Sequence, residues 1–322
     1  MTDPAEQSRT GTVVDGVSVL GALSPSRAGD FKSCPLMFRY RTIDKLPERP
    51  SPDAVRGTVL HKVLEDLFDL PAADRTPERA DSMVEAAWAL IRGEDPERAD
   101  LFADDPSGEQ EARWLATCRE VLPRYFDLED PRRLEPAERE VYVETLLDSK
   151  LLLRGVVDRI DIAADGSIRV VDYKTGRSPG ESFEAKALFQ MRFYALVLWR
   201  SRGVVPKVLR LVYLGNTEMI SYSPDEQDLL ATQRQVEALW AAIRTARESG
   251  EWLPQKNFGC TWCSYKAFCP EFGGTVPPLP DPKTRDVGHA HPGQGVDEDP
   301  AVAVEDRDVV RDHQDGAPGR LG

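Results

Sequence analysis

The sequence predicts a mixed α/β fold, with a central sheet flanked by helices, and three observations carry that prediction. Apolar residues recur at helical spacing from Val55 to Phe68. The pattern then switches to strand-type runs between Glu140 and Tyr173, separated by turn chemistry. After Tyr173, helices and strands alternate as far as Ser249. Alternation of this kind packs helices onto the faces of one sheet.

In order, Ser24-Pro25 reads as a helix start, with Ser as the cap and Pro at the first helical position. This short helix ends near Cys34-Pro35. The helix from Val55 to Phe68 buries Leu60, Val63, Leu64, Leu67 and Phe68. Two amphipathic helices follow, one through Ala80, Val84, Trp88 and Ile91, the other through Trp114, Leu115, Cys118, Leu122 and Tyr125. Strands are predicted at Glu140–Leu147, Leu151–Ile162 and Ile168–Tyr173, with turns at Leu147–Lys150 and Ala163–Gly166. A helix over Ser182–Arg200 precedes strands Val208–Leu214 and Glu218–Tyr222, and Pro224–Ser249 forms the last helix. Residues 1–22 read as a flexible N-terminus and 23–274 as the folded domain, with a helical insertion at about 72–135. Residues 275–322, rich in Pro, Gly and Asp, read as a disordered acidic tail.

The chain has 322 residues, 41% hydrophobic and 30% charged, enough to bury a core of domain size. No apolar run approaches the roughly 18 residues that span a bilayer. The start of the chain lacks a basic segment followed by an apolar block, so the expected compartment is the cytoplasm. The net charge is −14, with 11 acids against 5 bases from Glu271 onward. That excludes a broad basic surface and leaves only a local groove for a polyanion. Candidate bases for one are Arg27, Lys32, Arg39, Arg41, Lys45, Arg49 and Arg56 near the first helix, and Lys174, Arg177, Lys186 and Arg192 further on.

Two segments carry candidate chemistry, Gly155-Val-Val-Asp158-Arg-Ile-Asp161 and Val170-Val-Asp172-Tyr-Lys174-Thr-Gly176. Residues two apart share a strand face, so Asp172 and Lys174 point the same way. Asp158 lies on the preceding strand, and antiparallel pairing can bring it beside Asp172. Carboxylates that close raise one another's pKa unless a cation lies between them, and their oxygens suit Mg²⁺ or Mn²⁺. Lys174 can neutralise a phosphate oxygen or orient an attacking water. Surface ion pairing is the plain alternative, yet the flanking Val156, Val157, Ile160, Val170 and Val171 are apolar, and buried charges need partners. His61 is the sole histidine outside the tail and sits four residues before Glu65 on the same helix side. Gln190 and Tyr194, also four apart, share a face of the helix after Lys174.

Together these residues resemble a known family. Gly57-x3-His61-x3-Glu65, Gly155-x2-Asp158-Arg-x-Asp161, Asp172-Tyr-Lys174-Thr-Gly176 and Gln190-x3-Tyr194, in that order, are similar to the RecB-like branch of the PD-(D/E)XK nucleases. The opening Leu23-Ser-Pro-Ser26 through Phe31-x2-Cys34-Pro-x2-Phe38 also looks like the start of these proteins, so the resemblance spans roughly Ser24 to Pro270. It implies a restriction-endonuclease-like core and a metal-dependent DNA exonuclease of repair or recombination, acting on single strands or ends. It implies that His61, Asp158, Asp172 and the Tyr173 carbonyl bind the metal, that Lys174 is catalytic, and that Gln190 and Tyr194 lie by the substrate phosphates or support the site. Glu65 and Asp161 could equally be structural. Asp172 stands where Glu is commoner. No G-x4-G-K-[ST] phosphate loop occurs, so ATP is not an expected partner. The alternatives are a non-catalytic DNA-binding or assembly module on the same fold and a nuclease of CRISPR adaptation.

Five cysteines in a chain without a secretory start do not read as a disulfide framework. Cys118 falls on an apolar helical stripe and reads as core. Cys260-x2-Cys263-x5-Cys269 calls for a fourth ligand, and Cys34 at a helix end is placed to supply it. Structural Zn²⁺ and a [4Fe–4S] cluster both fit four thiolates. The arrangement resembles the iron–sulfur clasp of CRISPR-associated RecB-like exonucleases, which implies the cluster. Trp262 and Tyr265, inside the clasp, could stack on bases or pack against it.

Overall fold

A computed structural model describes residues 13, 14, 17–48, 50–178 and 181–280. The tail from 281 onward, the first twelve residues, Arg49 and the Lys186 side chain lie outside the described residues. Strands β1 (Val13–Val14) and β2 (Val17–Ser18) pair antiparallel, and β3 (Gly21–Leu23) leads into α1 (Pro25–Ser33). After α2 (Pro35–Phe38) comes a π-helical turn at Arg39–Ile43. Helices α1, α3 (Pro52–Leu67) and α4 (Pro77–Glu94) share one start signal: Ser24, Ser51 or Thr76 accepts from a first-turn amide, and Pro follows. The insertion continues with α5 (Pro96–Ala99), α6 (Glu109–Val121) and α7 (Pro123–Leu128). Trp114 to Tyr125 reads as one helix in the sequence, but Pro123 has no amide hydrogen to give, and the chain restarts there.

The sheet strands are β4 (Glu138–Leu146), β5 (Leu151–Ile162) and β6 (Ile168–Lys174); α8 (Glu181–Arg202), β7 (Val208–Tyr213), β8 (Glu218–Tyr222) and α9 (Glu226–Ser249) complete the fold. β4 runs antiparallel along β5, from Leu146↔Leu152 to Glu138↔Ile160. β3 pairs in parallel with the start of β5, at Gly21↔Leu151 to Leu23↔Leu153, so Gly21 and Ala22, at the end of the expected loose N-terminus, are strand. β6 pairs antiparallel with the far end of β5, from Ile162↔Ile168 to Arg159↔Val171. The middle of β5 therefore has neither β3 nor β6 beside it, and the sheet splits there. β7 joins β6 in parallel and β8 closes the edge.

Two apolar cores lie on the two faces. Leu153, Val157, Val170, Leu209 and Leu211 face α1, α8 and α9, while Val171, Tyr173 and Val212 face α3, α4 and α6. In α3, Val59, Leu60, Val63, Leu64 and Leu67 are fully buried, each stabilising by about 1.5–3 kcal/mol relative to exposure. Strand alternation then sends Asp172 and Lys174, in phase with Val170, toward α8, and Tyr173 toward α3. Among the described residues no helix is long and apolar enough to cross a membrane.

The end of the chain folds back on its beginning. Tyr40 Oη donates to the Phe268 carbonyl at 2.8 Å, Asn257 Nδ2 to the Ser33 carbonyl at 2.9 Å, and Arg39 Nη2 to the Pro277 carbonyl at 2.6 Å. This corrects part of the expected basic groove. Arg39 is buried and paired with Asp44, Arg41 is held by Asp30 and Glu48, and Arg56 pairs with Asp53. Arg39 and Arg41 hold the scaffold together, because a guanidinium near a carboxylate in a half-buried position is worth more there than in water, while the Arg56 pair lies within one turn of α3.

Candidate active site

The site forms where the sheet splits, with α3 arriving on one face and α8 on the other. Lys174 Nζ lies 2.7 Å from Asp172 Oδ2 and donates to Gln190 Oε1 at 2.9 Å. Gln190 Nε2 donates to Asp172 Oδ1 at 3.0 Å and reaches Tyr194 Oη at 3.4 Å. Asp172 is only 2% exposed, and its Oδ2 faces the Lys174 ammonium in a close ion pair. Asp158 Oδ2 accepts from the Tyr173 amide at 2.6 Å. His61 Nε2 donates to the Tyr173 carbonyl at 3.0 Å, and its Nδ1 lies 3.5 Å from Asp158 Oδ2. The residues expected from the sequence, His61, Asp158, Asp172, Tyr173, Lys174, Gln190 and Tyr194, thus come together. Glu65 and Asp161 do not join them: Glu65 pairs with Lys62, and Asp161 with Arg159 and Arg169.

Glu140 is the residue sequence reasoning missed. Its Oε1 lies 3.7 Å from His61 Nδ1. Its backbone has φ 42°, a left-handed conformation costing a non-glycine residue roughly 1–3 kcal/mol. The β4–β5 register, Arg139↔Arg159 and Val141↔Val157, sets Glu140 opposite Asp158. Val157 and Ile160 both enter the core under α8, so strand alternation slips between them, and the slip and the unusual φ face each other across the ladder. Counting back from the β4–β5 turn would have found Glu140; nothing in its own sequence neighbourhood marks it.

The electrostatics follow from burial and crowding. Burial pushes the Asp158 carboxyl well above the ordinary range, His61 opposes this, and Asp172 and Glu140 add to it. Burial works against charge on His61, but Asp158 and Glu140 outweigh it and hold the imidazole up at about 9. Lys174 likewise stays above its ordinary value, burial opposing and Asp172 prevailing. The carboxylates therefore demand positive charge, here met by an imidazolium and an ammonium. His61, Glu140 and Asp158 offer ligand atoms all within 4.8 Å of one another. With the Asp172 carboxylate close by, that donor set suits a hard dication.

Gly155 is where α8 meets β5. A Cβ there would sit 2.8 Å from Tyr194 Cε1 and 3.4 Å from Pro25 Cδ. Gly155→Ala should therefore destabilise the protein by about 1–3 kcal/mol as the ring is displaced. Thermal unfolding tests this, and a variant melting with the wild type would mean that the ring yields freely.

The sequence profile described as the PD-(D/E)XK nuclease superfamily matches residues 22–270. The chain belongs to this superfamily. Among relatives of this PD-(D/E)XK protein, the Gene 69 protein of Mycobacterium phage D29 is 26% identical over 271 residues, covering 77% of this chain and 96% of the phage protein. A subunit of the ATP-dependent helicase/deoxyribonuclease of Streptococcus equi subsp. zooepidemicus (strain H70) is 31% identical over 130 residues, which are 40% of this chain and 12% of the streptococcal protein. A crystal structure of a candidate exonuclease from Eubacterium rectale superposes with a TM-score of 0.52 at 12% identity, covering 83% of this chain and 93% of that one. That likeness concerns the fold.

Proposed function

We propose that this PD-(D/E)XK protein is a divalent-metal-dependent DNA exonuclease of repair or recombination, acting on single strands or ends. The observation that carries the reading is the intact set of Asp158, Asp172 and Lys174, the last two bridged by Gln190, with His61 beside Asp158. A non-catalytic module would have no use for an ammonium held between a buried carboxylate and an amide. Bound Mg²⁺ or Mn²⁺ would be held by His61, Asp158, Asp172 and the Tyr173 carbonyl, with Glu140 beside them, and would polarise the phosphodiester and acidify a water. Lys174 holds the attacking water or a phosphate oxygen, and Gln190 keeps that ammonium aimed. Water adds to phosphorus, one P–O bond breaks, and the leaving oxygen departs with a proton. The net charge of −14, and the use of Arg39 and Arg41 within the scaffold, support a narrow path for one strand over a broad duplex surface. Purified protein with Mn²⁺ should shorten end-labelled single-stranded DNA from one end. Intact DNA, with chelator and Mn²⁺ samples alike, would refute the activity.

We further propose that Cys34, Cys260, Cys263 and Cys269 hold a [4Fe–4S] cluster. Burial raises the pKa of the Cys263 thiol, and the charge of the other three sulfurs around it adds to the rise. The Gln255 amide donates to Cys34 Sγ and the Asn257 amide to Cys260 Sγ, both at 3.4 Å, as suits thiolates of a cluster. Cys118 is fully buried in the other core and takes no part. Protein purified without oxygen should be brown and hold iron; colourless protein with one zinc per chain would overturn the cluster.

A further inference from the structure

We propose that Phe258 and Trp262 form a stacking step for unpaired bases of the strand on its way to the catalytic end of the sheet, a subsite that rests on the nuclease reading above. The clasp treats its aromatic residues in two ways. Tyr265 is 2% exposed, packs on Tyr40 with ring centroids 5.4 Å apart, and reaches the Leu46 carbonyl with its hydroxyl. Phe258 and Trp262 are 69% and 67% exposed, yet contact each other edge to face at 4.7 Å. Large aromatic faces in water are unfavourable unless something covers them.

Their turn is rigid rather than loose. Asn257 Oδ1 accepts from the Gly259 amide at 2.8 Å, while its Nδ2 ties the turn to the end of α1. From there α1 leads to the active site. Its nine residues span about 13 Å. Near its clasp end, the Lys32 ammonium sits 4.2 Å from the Phe189 ring centroid, next to Gln190. At its other end, Pro25 lies against Gly155 and Tyr194. Lys266 Nζ donates to the Thr261 carbonyl, next to Trp262, at 2.7 Å and brings positive charge to this turn, whereas Lys256 is paired with Glu271. Exposed rings with the Lys266 ammonium on the same turn, on a hydrogen-bonded mount tied to α1, match the chemistry of an unpaired strand, whose bases offer free π-faces and whose backbone is anionic. Bases within a duplex have no free face to offer.

The test compares the wild type with Phe258→Ala/Trp262→Ala, and with Phe258→Leu/Trp262→Leu, which keeps apolar bulk but removes the rings. Binding of a labelled single strand of roughly 12 nucleotides is measured in EDTA, with iron content and melting as controls on folding. Both double variants should bind at least about tenfold more weakly and lose their preference for single strand over blunt duplex, and Trp262→Phe should restore most of the affinity. If the leucine variant keeps iron and melting temperature and binds single strands as the wild type does, the stacking step is wrong, and the patch serves something other than DNA. If the wild type itself neither binds nor cleaves single strands, the nuclease reading falls, and this subsite with it.

Discussion

Lys174→Ala is expected to lower the rate of DNA hydrolysis about a thousand-fold, ~4 kcal/mol in the barrier, in a protein that still folds. The ammonium is already aimed, between Asp172 Oδ2 and Gln190 Oε1, so it costs no reorganisation when charge develops on the phosphate. A second signature separates this role from a merely structural one. Without Lys174, Asp172 remains 2% exposed beside Asp158, with the His61 imidazolium the nearby positive charge left to both. Breaking a buried pair costs ~3–5 kcal/mol, and the low end applies because the ammonium is partly solvated. A divalent ion would restore the missing charge. Mn²⁺ should therefore raise the melting temperature of the variant by more than it raises that of the wild type. Turnover near the wild-type value in a folded Lys174→Ala protein would remove the lysine from the mechanism.

Arg159→Leu should be the most damaging single change outside the site itself. Arg159 is 1% exposed and bonds Glu129 at 2.8 and 3.0 Å, Asp161 at 3.2 Å and the Tyr173 hydroxyl at 2.5 Å. Glu129 is nearly as buried, so removing the guanidinium leaves its carboxylate in the core beneath α3 with only the more distant Arg210, at 3.6 Å, as counter-charge. The expected loss is ~3–5 kcal/mol, which for a domain of this size lowers the melting temperature by roughly 10 °C. Replacing Glu129 by Leu as well should recover part of it, since the stranded charge is gone. Tyr173 links this network to the site: the ring that Arg159 holds belongs to the residue whose carbonyl faces His61. Mn²⁺ affinity should fall along with stability. A melt within roughly 2 °C of the wild type would show that the network contributes little.

Much of this was legible because it is local. The Ser-Pro and Thr-Pro starts, the α3 stripe and the strands β5, β6 and β8 follow from periods of 3.6 and 2.0 and from turn residues, which act over a few positions. The pairing of Asp172 with Lys174 needed only the alternation of one strand. By itself, then, the sequence determined an α/β order, the residues that share a face, and the cysteines free to gather at the two ends. The tertiary structure decided the rest. It brought Glu140 to His61 by pairing across a hairpin, and it turned Arg39 and Arg41 from a groove into scaffold. It gave Trp262 to water and Tyr265 to the core, although the two lie three positions apart. The division has one cause: periodicity tells which way a side chain points along its own element, but burial and partners depend on what another, distant segment brings against it.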